Sequence, residues 1–260
     1  MELTVVQSML ALASGSLVGF SLGLVGGGGS ILAVPLLAYV VGVASPHVAI
    51  GTSAVAVAVS AAANLVSHAR AGSVKWRCAL VFSAAGVVGA LLGSTLGKRV
   101  DGQMLLALFA LLMVLVGVLM IRQRGSAGNA GVHLDRENLP WLVGLGFGTG
   151  ALSGFFGIGG GFLIVPALML ATGMPIGHAV GSSLVAVTAF GLTTSFNYAA
   201  SGLVSWSLAA VFIAGGMLGG LAGTRASHAL AGRRGVLNLV FAGLIFATAG
   251  YVLMRSLTLV

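Results

Sequence analysis

Two glycine clusters inside apolar segments are the residues of this chain best suited to hold a small ion. They occupy positions 26–30 (Gly-Gly-Gly-Gly-Ser) and 157–161 (Gly-Ile-Gly-Gly-Gly). In hydrocarbon such a break leaves backbone groups without partners, so it persists only beside protein or a watery cavity. A helix that restarts after the break directs free N–H groups and the positive end of its dipole into it. This chemistry favours an anion, held without any cationic side chain.

The alternative interpretation is that these glycines only allow close helix packing, as small residues do in membrane bundles. Clustering of glycines at two points, each followed by a proline, favours a binding site. Pro35 and Pro166 lie several residues into the short helices after the two breaks and are predicted to kink them. A nucleotide site is excluded, because no strand precedes the glycines and no Gly-Lys-Ser/Thr follows them. The predicted binding residues in the two breaks are Gly28, Gly29, Ser30, Gly159, Gly160 and Gly161.

Polar side chains inside the long apolar segments are the second set of candidates. Ser and Thr hydroxyls often bond only to their own helix carbonyls, whereas Asn is costlier to bury and favours a function. Both interpretations stay open from sequence. The predicted binding residues of this type are Thr52, Ser53, Asn64, Ser182, Ser183, Thr194 and Asn197.

Ionisable residues are kept out of the apolar segments. All four acidic residues fall in termini or loops, so neither a cation site nor a carboxylate proton relay is supported. The five histidines fall near segment ends or in polar stretches, where an interfacial position is expected. The single cysteine, Cys78, has no partner for a disulfide or a metal site. No metal and no cofactor is predicted. The acidic residues are Glu2, Asp101, Asp135 and Glu137, and the histidines are His47, His68, His133, His178 and His228.

The elements that carry these residues are predicted to be membrane-spanning helices. Only 16 of 260 residues are charged and 58% are hydrophobic, which a soluble domain of this size could not sustain. Several apolar runs reach the roughly 20 residues that a spanning helix needs. The first is predicted to be retained, since no basic region precedes it. Ten helical segments are predicted near 3–25, 30–43, 47–69, 74–97, 102–121, 139–156, 161–173, 177–200, 203–225 and 235–256.

The second five segments resemble the first five after a shift of about 130 positions. The run 51–57 matches 181–187, and the other matches are Gly28, Gly29 and Pro35 with Gly159, Gly160 and Pro166, and Gly72, Val74 and Trp76 with Gly202, Val204 and Trp206. Such self-similarity indicates duplication. The predicted organisation is a first repeat at 1–121, a cytoplasmic linker at 122–138 and a second repeat at 139–260.

An odd number of segments per repeat predicts that the two repeats have inverted topology, with a shared midplane. The basic residues lie in short clusters between apolar runs, which indicates topology signals and not nucleic-acid binding. One orientation places nine of the 12 Lys and Arg residues inside and three outside: Lys98, Arg99 and Arg255. It puts both termini outside in a multi-pass protein of the plasma (inner) membrane.

The paired pattern of a Gly-rich break, a Pro-containing short helix, a Gly-Thr/Ser-Ser element and a Gly-x-Val-x-Trp turn resembles the TauE/SafE family of sulfite exporters, also called the 4-toluene sulfonate uptake permease family. The resemblance covers about Gly15 to Tyr251. It implies transport of sulfur-containing oxyanions such as sulfite, or of organosulfonates. One departure is Ser30, which stands where the second repeat has Gly161.

Three hypotheses for the function remain. An exporter with alternating access at the midplane is the leading one, and an anion channel of the same architecture is the second. An intramembrane hydrolase would use Ser153 with His178 or His228, but it lacks a Gly-x-Ser-x-Gly elbow and an acid to orient the histidine. The prediction is therefore a transporter and not an enzyme, with a small anion and the lipid bilayer as its partners.

Overall fold

A computed structural model describes residues 4–122, 134–157, 161–229 and 250. Within these residues the chain is helical and contains no strand. The α-helices are α1 (Val5–Val25), α2 (Ala33–Pro35), α3 (Pro46–Arg70), α4 (Trp76–Gly97), α5 (Gly102–Arg122), α6 (Leu139–Phe156), α7 (Gly161–Thr172), α8 (Ile176–Ala199) and α9 (Trp206–Ala229). The predicted tenth segment, near 235–256, lies outside the described residues.

Six of the described helices are long and apolar enough to cross a membrane: α1, α3, α4, α6, α8 and α9. They have 18 to 25 residues, and at about 1.5 Å per residue they are roughly 27 to 38 Å long, in the range needed for the roughly 30 Å of a hydrocarbon core. The chain is therefore a multi-pass, α-helical membrane protein, as predicted. Only the connections from α3 to α4 and from α8 to α9 are short, and the other three contain further helical segments.

The segment predicted as one α-helix at 30–43 has a different structure. Its residues form a 3-10 helix at Gly26–Leu32, the single turn α2, and a π-helix at Leu36–Val40. Pro35 is the last residue of α2, and because it lacks an N–H group it cannot donate the α-helical hydrogen bond to the carbonyl of residue 31. The backbone N–H of Val41 then donates to the Leu36 carbonyl, five residues back, at 2.9 Å. Pro166, in contrast, lies inside the continuous helix α7.

Helices α3 and α8 form the centre of the bundle. In their apolar windows 67% of residues are buried, against 39 to 44% in the other four spans. They pack against each other, while α1 packs along α9 and α4 packs along α6. The α3–α8 pair is therefore the part of the described chain best shielded from lipid.

Glycine makes the two outer helix pairs possible, and it does so at matching positions. A Cβ atom on Gly89 would overlap the carbonyl oxygen of Phe147, and one on Gly219 would overlap that of Ser16. The same correspondence holds for backbone conformation. The six described glycines with positive φ form three pairs that are 130 or 131 positions apart: Gly26 and Gly157, Gly42 and Gly173, Gly72 and Gly202.

Candidate functional site

Each glycine break lies against the beginning of a central helix. Gly157 ends α6 with a φ of 66°, and a Cβ atom there would collide with the Cγ2 methyl group of Ile50 in α3. Gly26 ends α1 with a φ of 68°, and its Cβ would lie 2.7 Å from Cγ1 of Val180 in α8. Ile50 and Val180 are 130 positions apart. The break after α6 therefore contacts α3, and the break after α1 contacts α8.

Buried serine hydroxyls stand at these contacts. The Ser53 hydroxyl donates to the Ile50 carbonyl at 2.8 Å and lies 3.4 Å from the carbonyl oxygen of Gly157. The Ser183 hydroxyl donates to the Val180 carbonyl at 2.8 Å. Both side chains are fully buried, and so is Ser30 in the first break. The structure thus brings a serine to each point where a break meets a central helix.

Thr52 and Ser182 have a different arrangement, in which each hydroxyl accepts a backbone hydrogen bond from a distant loop. Thr52 Oγ1 accepts from the N–H of Ser205 at 3.0 Å, and Ser182 Oγ accepts from the N–H of Lys75 at 2.9 Å. Both hydroxyls are fully buried. They join the central helices to the segments that follow α8 and α3, respectively.

The glycines predicted to bind are only partly described. Gly28 and Gly29 lie in the 3-10 segment, and a Cβ on Gly29 would overlap the α1 backbone at Leu22. Gly161 is buried and is the first residue of α7, the 12-residue helix that follows the second break. Gly159 and Gly160 lie outside the described residues. In the first break, close backbone packing accounts for Gly29.

The remaining predicted residues lie on the central helices at different depths. The Asn64 amide donates to the Ser60 carbonyl at 2.9 Å and lies against α9, where a Cβ on Gly220 would be 2.9 Å from Asn64 Nδ2. Thr194 is fully buried in α8, and its hydroxyl has no hydrogen-bond partner among the described residues. Among the predicted residues, Thr194 therefore has a polar group that the fold itself does not use.

Asn197 lies near the C-terminal end of α8 and joins α8 to α4. Its Oδ1 accepts from Lys98 Nζ at 2.7 Å, and its Nδ2 donates to Ser94 Oγ at 2.6 Å and to Thr95 Oγ1 at 3.0 Å. Lys98 Nζ also donates to the Asn197 carbonyl at 3.1 Å and to Ser201 Oγ at 2.8 Å. All the recorded side-chain donors and acceptors of this amide are engaged at the end of the bundle.

Sequence reasoning missed three other buried hydroxyls. Ser83 in α4, Ser153 in α6 and Tyr198 in α8 are at most 5% exposed, and their hydroxyl groups have no partner within the described part of the chain. Ser153 drew attention only as a hydrolase nucleophile, a role that needs a hydrogen-bonded base. In the sequence, each of these residues is a hydroxyl-bearing side chain within an apolar run. The sequence does not show whether that hydroxyl donates to a carbonyl of its own helix.

Charged side chains are absent from the buried interior of the described residues, whose polar members are Ser, Thr, Asn and His only. The buried histidine His68 lies at the end of α3, with Nδ1 3.2 Å from Ser73 Oγ, and His178 Nδ1 lies 3.1 Å from the Ser73 carbonyl oxygen. These two histidines therefore meet at Ser73, in the segment between α3 and α4.

The described residues form six helices long enough to span a membrane, a central helix pair and two glycine breaks packed against that pair. These features define a polytopic helical membrane protein. The chain belongs to the sulfite exporter TauE/SafE family, whose model matches residues 11–252. This match confirms the resemblance seen in the sequence motifs.

The relatives of the chain are named as transporters. It is 53% identical to a probable membrane transporter protein of Xylella fastidiosa strain Temecula1, over 98% of both chains. It is 28% identical to the probable membrane transporter protein YunE of Bacillus subtilis, over 84% of this chain and 85% of that one. No solved structure matches the chain. Family and relatives identify the chain as a membrane transporter.

Proposed function

We propose that this transporter exports small sulfur-containing oxyanions, of which sulfite is the simplest, by alternating access between two inverted repeats at 1–121 and 139–260. The observation that carries the proposal is the crossed pair of contacts between Gly26 and Val180 and between Gly157 and Ile50. Each break belongs to one repeat and touches a helix of the other. A rocking motion of one repeat against the other therefore changes both breaks together.

Two anion positions are proposed, one where each break meets the first turn of α3 or of α8. They lie toward opposite ends of the α3–α8 pair, because Thr52 bonds to the segment after α8 and Ser182 bonds to the segment after α3. The proposed donors are backbone N–H groups at the start of α7 and the hydroxyls of Ser30, Ser53, Ser183 and Thr194, in a part of the described chain without buried charge. Ser53 and Ser183 donate to the anion by rotating away from the carbonyls of their own helices. A small oxyanion suits such donors, because each oxygen accepts several hydrogen bonds and the dipole of α7 favours negative charge. Thr52, Ser182 and Asn197 are left out of the proposed site, since their polar groups hold other segments.

Burial gives the proposed site its transport character. The four proposed hydroxyls belong to residues with no exposed surface in this conformation, so an ion reaches them only after the helices separate. Opening on one side at a time gives a carrier, and opening on both sides at once gives a channel. Accelerated exchange of labelled sulfite when unlabelled sulfite is placed on the opposite side is expected for a carrier and not for a channel.

The proposed orientation places the nine basic residues of the Arg70–Arg77, Arg122–Arg136 and Arg225–Arg234 stretches in the cytoplasm, and both termini outside. In a plasma membrane with a negative interior, the potential drives an anion outward by about 2.3 kcal/mol per charge per 100 mV. Export then needs no coupling ion. The same orientation is testable by labelling single cysteines placed at residue 4 and at residue 73 with a reagent that cannot cross the membrane.

Proteoliposomes with an imposed potential test the proposal directly. Sulfite efflux is expected to rise when the interior is made negative and to fall when the potential is collapsed. A rate of sulfite efflux that does not change with the membrane potential would exclude electrogenic uniport. The absence of any sulfite flux would exclude sulfite as a substrate. Thermal stabilisation across sulfite, sulfate, thiosulfate and sulfoacetate then ranks the anions, because a ligand that binds only the folded state raises its stability.

A further inference from the structure

A groove of about 610 Å³ opens on the outer surface of the bundle, where α8 meets α4 and α9. Its lining includes Leu91 of α4, Leu192 and Phe196 of α8, and Trp206 of α9. These side chains are strongly exposed, with 78% of Phe196 and 64% of Trp206 accessible. All four belong to membrane-spanning helices, so the groove faces lipid and lies apart from the buried site proposed for the anion.

The groove runs toward a basic end of the bundle. Lys98 follows the last residue of α4, and its Nζ lies 2.8 Å from Ser201 Oγ, so α4 ends at the same level as α8. Leu91 is seven residues before Lys98, which places it about 10 Å deeper in the membrane. Arg99 is exposed beside Lys98. The apolar groove thus begins just below the positive charges of Lys98 and Arg99.

The hydrogen-bond acceptors of Lys98 are the amide and carbonyl oxygens of Asn197 and the hydroxyl of Ser201, which carry no charge. The charge of Lys98 is not neutralised by these contacts, although its three N–H donors are used, so it attracts an anionic group through its electric field. The neighbouring carboxylate, Asp101, accepts from the N–H groups of Gln103 and Met104 at the start of α5. It acts as a helix cap there, where a negative charge is stabilised by the first turn.

The duplication of the chain does not account for the groove. At the positions matched by the shift of 130, Leu192 and Phe196 become Ala62 and Val66, and Lys98 becomes His228. Larger apolar side chains and the basic pair therefore occur together at one end only. In the orientation proposed above, that end is external, where the positive-inside rule disfavours Lys and Arg. A separate reason for these charges is needed.

We propose that the groove binds an anionic phospholipid, with one acyl chain between α4, α8 and α9 and the phosphate at Lys98 and Arg99. Trp206 begins α9 at the level of the head group, a depth that tryptophan favours in membranes. Basic residues next to an apolar surface attract acidic lipids in preference to zwitterionic ones. The acyl chain and the charged head group of the lipid are thus bound by different parts of one surface, which is separate from the proposed anion site.

Thermal unfolding of the purified full-length chain in neutral detergent tests the proposal. Phosphatidylglycerol at about 100 times its dissociation constant is expected to raise the unfolding midpoint by roughly 5 to 10 °C. Phosphatidylcholine is expected to have a much smaller effect. Native mass spectrometry of the same samples is expected to show about one retained molecule of phosphatidylglycerol per chain, since one acyl chain and one phosphate occupy the proposed groove.

Two pairs of variants separate the groove from general lipid effects. Arg99→Gln is expected to reduce the preference for phosphatidylglycerol, whereas Arg70→Gln, an exposed arginine at the end of α3, is expected to preserve it. Ala199→Trp fills the groove and is expected to abolish lipid retention, whereas Ala84→Trp places the same side chain at an exposed position of α4 outside it.

Three results would overturn the proposal. The first is equal stabilisation by the two lipids, and the second is retention of phosphatidylglycerol by Ala199→Trp at the wild-type level. The third is a wild-type dimer that Ala199→Trp converts to a monomer while the response to lipid is unchanged. That last result would make the groove an interface between two copies of the chain.

Discussion

Thr52 Oγ1 lies 3.0 Å from the backbone nitrogen of Ser205 and accepts its hydrogen bond. Ser182, 130 positions after Thr52, accepts in the same way from Lys75, which is 130 positions before Ser205. Each central helix therefore holds the segment that follows the other central helix, and it does so through one hydroxyl acceptor. Hydroxyls that the sequence presents as donors for an anion act here as acceptors for the fold.

This relationship predicts that Thr52→Val lowers stability. Valine has nearly the same shape but leaves the Ser205 N–H without its partner, which costs about 1 kcal/mol or more. The unfolding midpoint is expected to fall by roughly 2 to 4 °C. Thr52→Ser keeps the acceptor and is the matched control, with a midpoint near that of the wild type. A normal midpoint with a raised KM for sulfite would show instead that the hydroxyl binds substrate.

The two glycines that end α6 and α7 give a second prediction, because they share a backbone conformation and differ in their surroundings. Gly157 has a φ of 66° and faces Ile50, whereas Gly173 has a φ of 68° and nothing within 4 Å of its would-be Cβ. Alanine is strained by about 1 kcal/mol at both positions, and crowding adds roughly 1 to 3 kcal/mol at Gly157 alone. Gly157→Ala is therefore expected to be less stable and to transport more slowly than Gly173→Ala.

Removing the obstructing methyl group checks that cause. Ile50→Ala is expected to restore part of the stability lost in Gly157→Ala, so the double variant is more stable than the sum of the single effects predicts. A purely additive double variant would show that the contact between the second break and α3 does not carry the loss.

Local sequence patterns were sufficient to predict the helices and their breaks. Runs of apolar residues fix the spans, and a glycine run within such a segment marks an interruption whatever surrounds it. The α/π change at Leu36 was not predicted, because the position of Pro35 indicates a kink but not which hydrogen-bond pattern replaces the α-helix. Within the described residues, the predicted helix bounds agree with the structure to within four positions elsewhere.

The role of individual polar residues could not be predicted in the same way. The partner of Thr52 is 153 positions away and that of Asn197 is 99 positions away, so the use of each group depends on tertiary packing. Asn197 and Thr194 are only three residues apart on α8, yet the first is saturated by Lys98 and the second has no partner. Residue type favoured Asn197 as the functional group, because Asn is costlier to bury, whereas in the structure Asn197 is the residue whose amide the fold uses.

The link between Asn197 and Lys98 predicts a structural effect at the end of the bundle. Hydrogen bonds to a charged group contribute about 1.5 to 3 kcal/mol, so Asn197→Ala is expected to lower the unfolding midpoint by several degrees with an unchanged KM. Lys98→Met is expected to have an effect that overlaps with it, and a double-mutant cycle is expected to give a coupling energy of about 1 kcal/mol or more. A raised KM without loss of stability would place the Asn197 amide at the anion site.

The unpartnered hydroxyl of Thr194 gives the sharpest test of the proposed site, because folding and binding respond in opposite directions. Burial without a partner makes this group unfavourable for folding, so Thr194→Val is expected to leave the unfolding midpoint unchanged or raised. If the hydroxyl donates to the transported anion, the same change removes a hydrogen bond to a charged group. The KM for sulfite is then expected to rise by roughly 10- to 100-fold.

Its neighbour Ser195 provides the matched control. The Ser195 hydroxyl donates to the Gly191 carbonyl of its own helix at 2.6 Å, so Ser195→Ala removes a hydroxyl at nearly the same depth without touching an unpartnered group. It is expected to leave the KM for sulfite unchanged. Equal KM values for wild type and Thr194→Val would remove Thr194 from the site and leave the serines at the glycine breaks as its donors. A rise confined to Thr194→Val would extend the site from the breaks along α8.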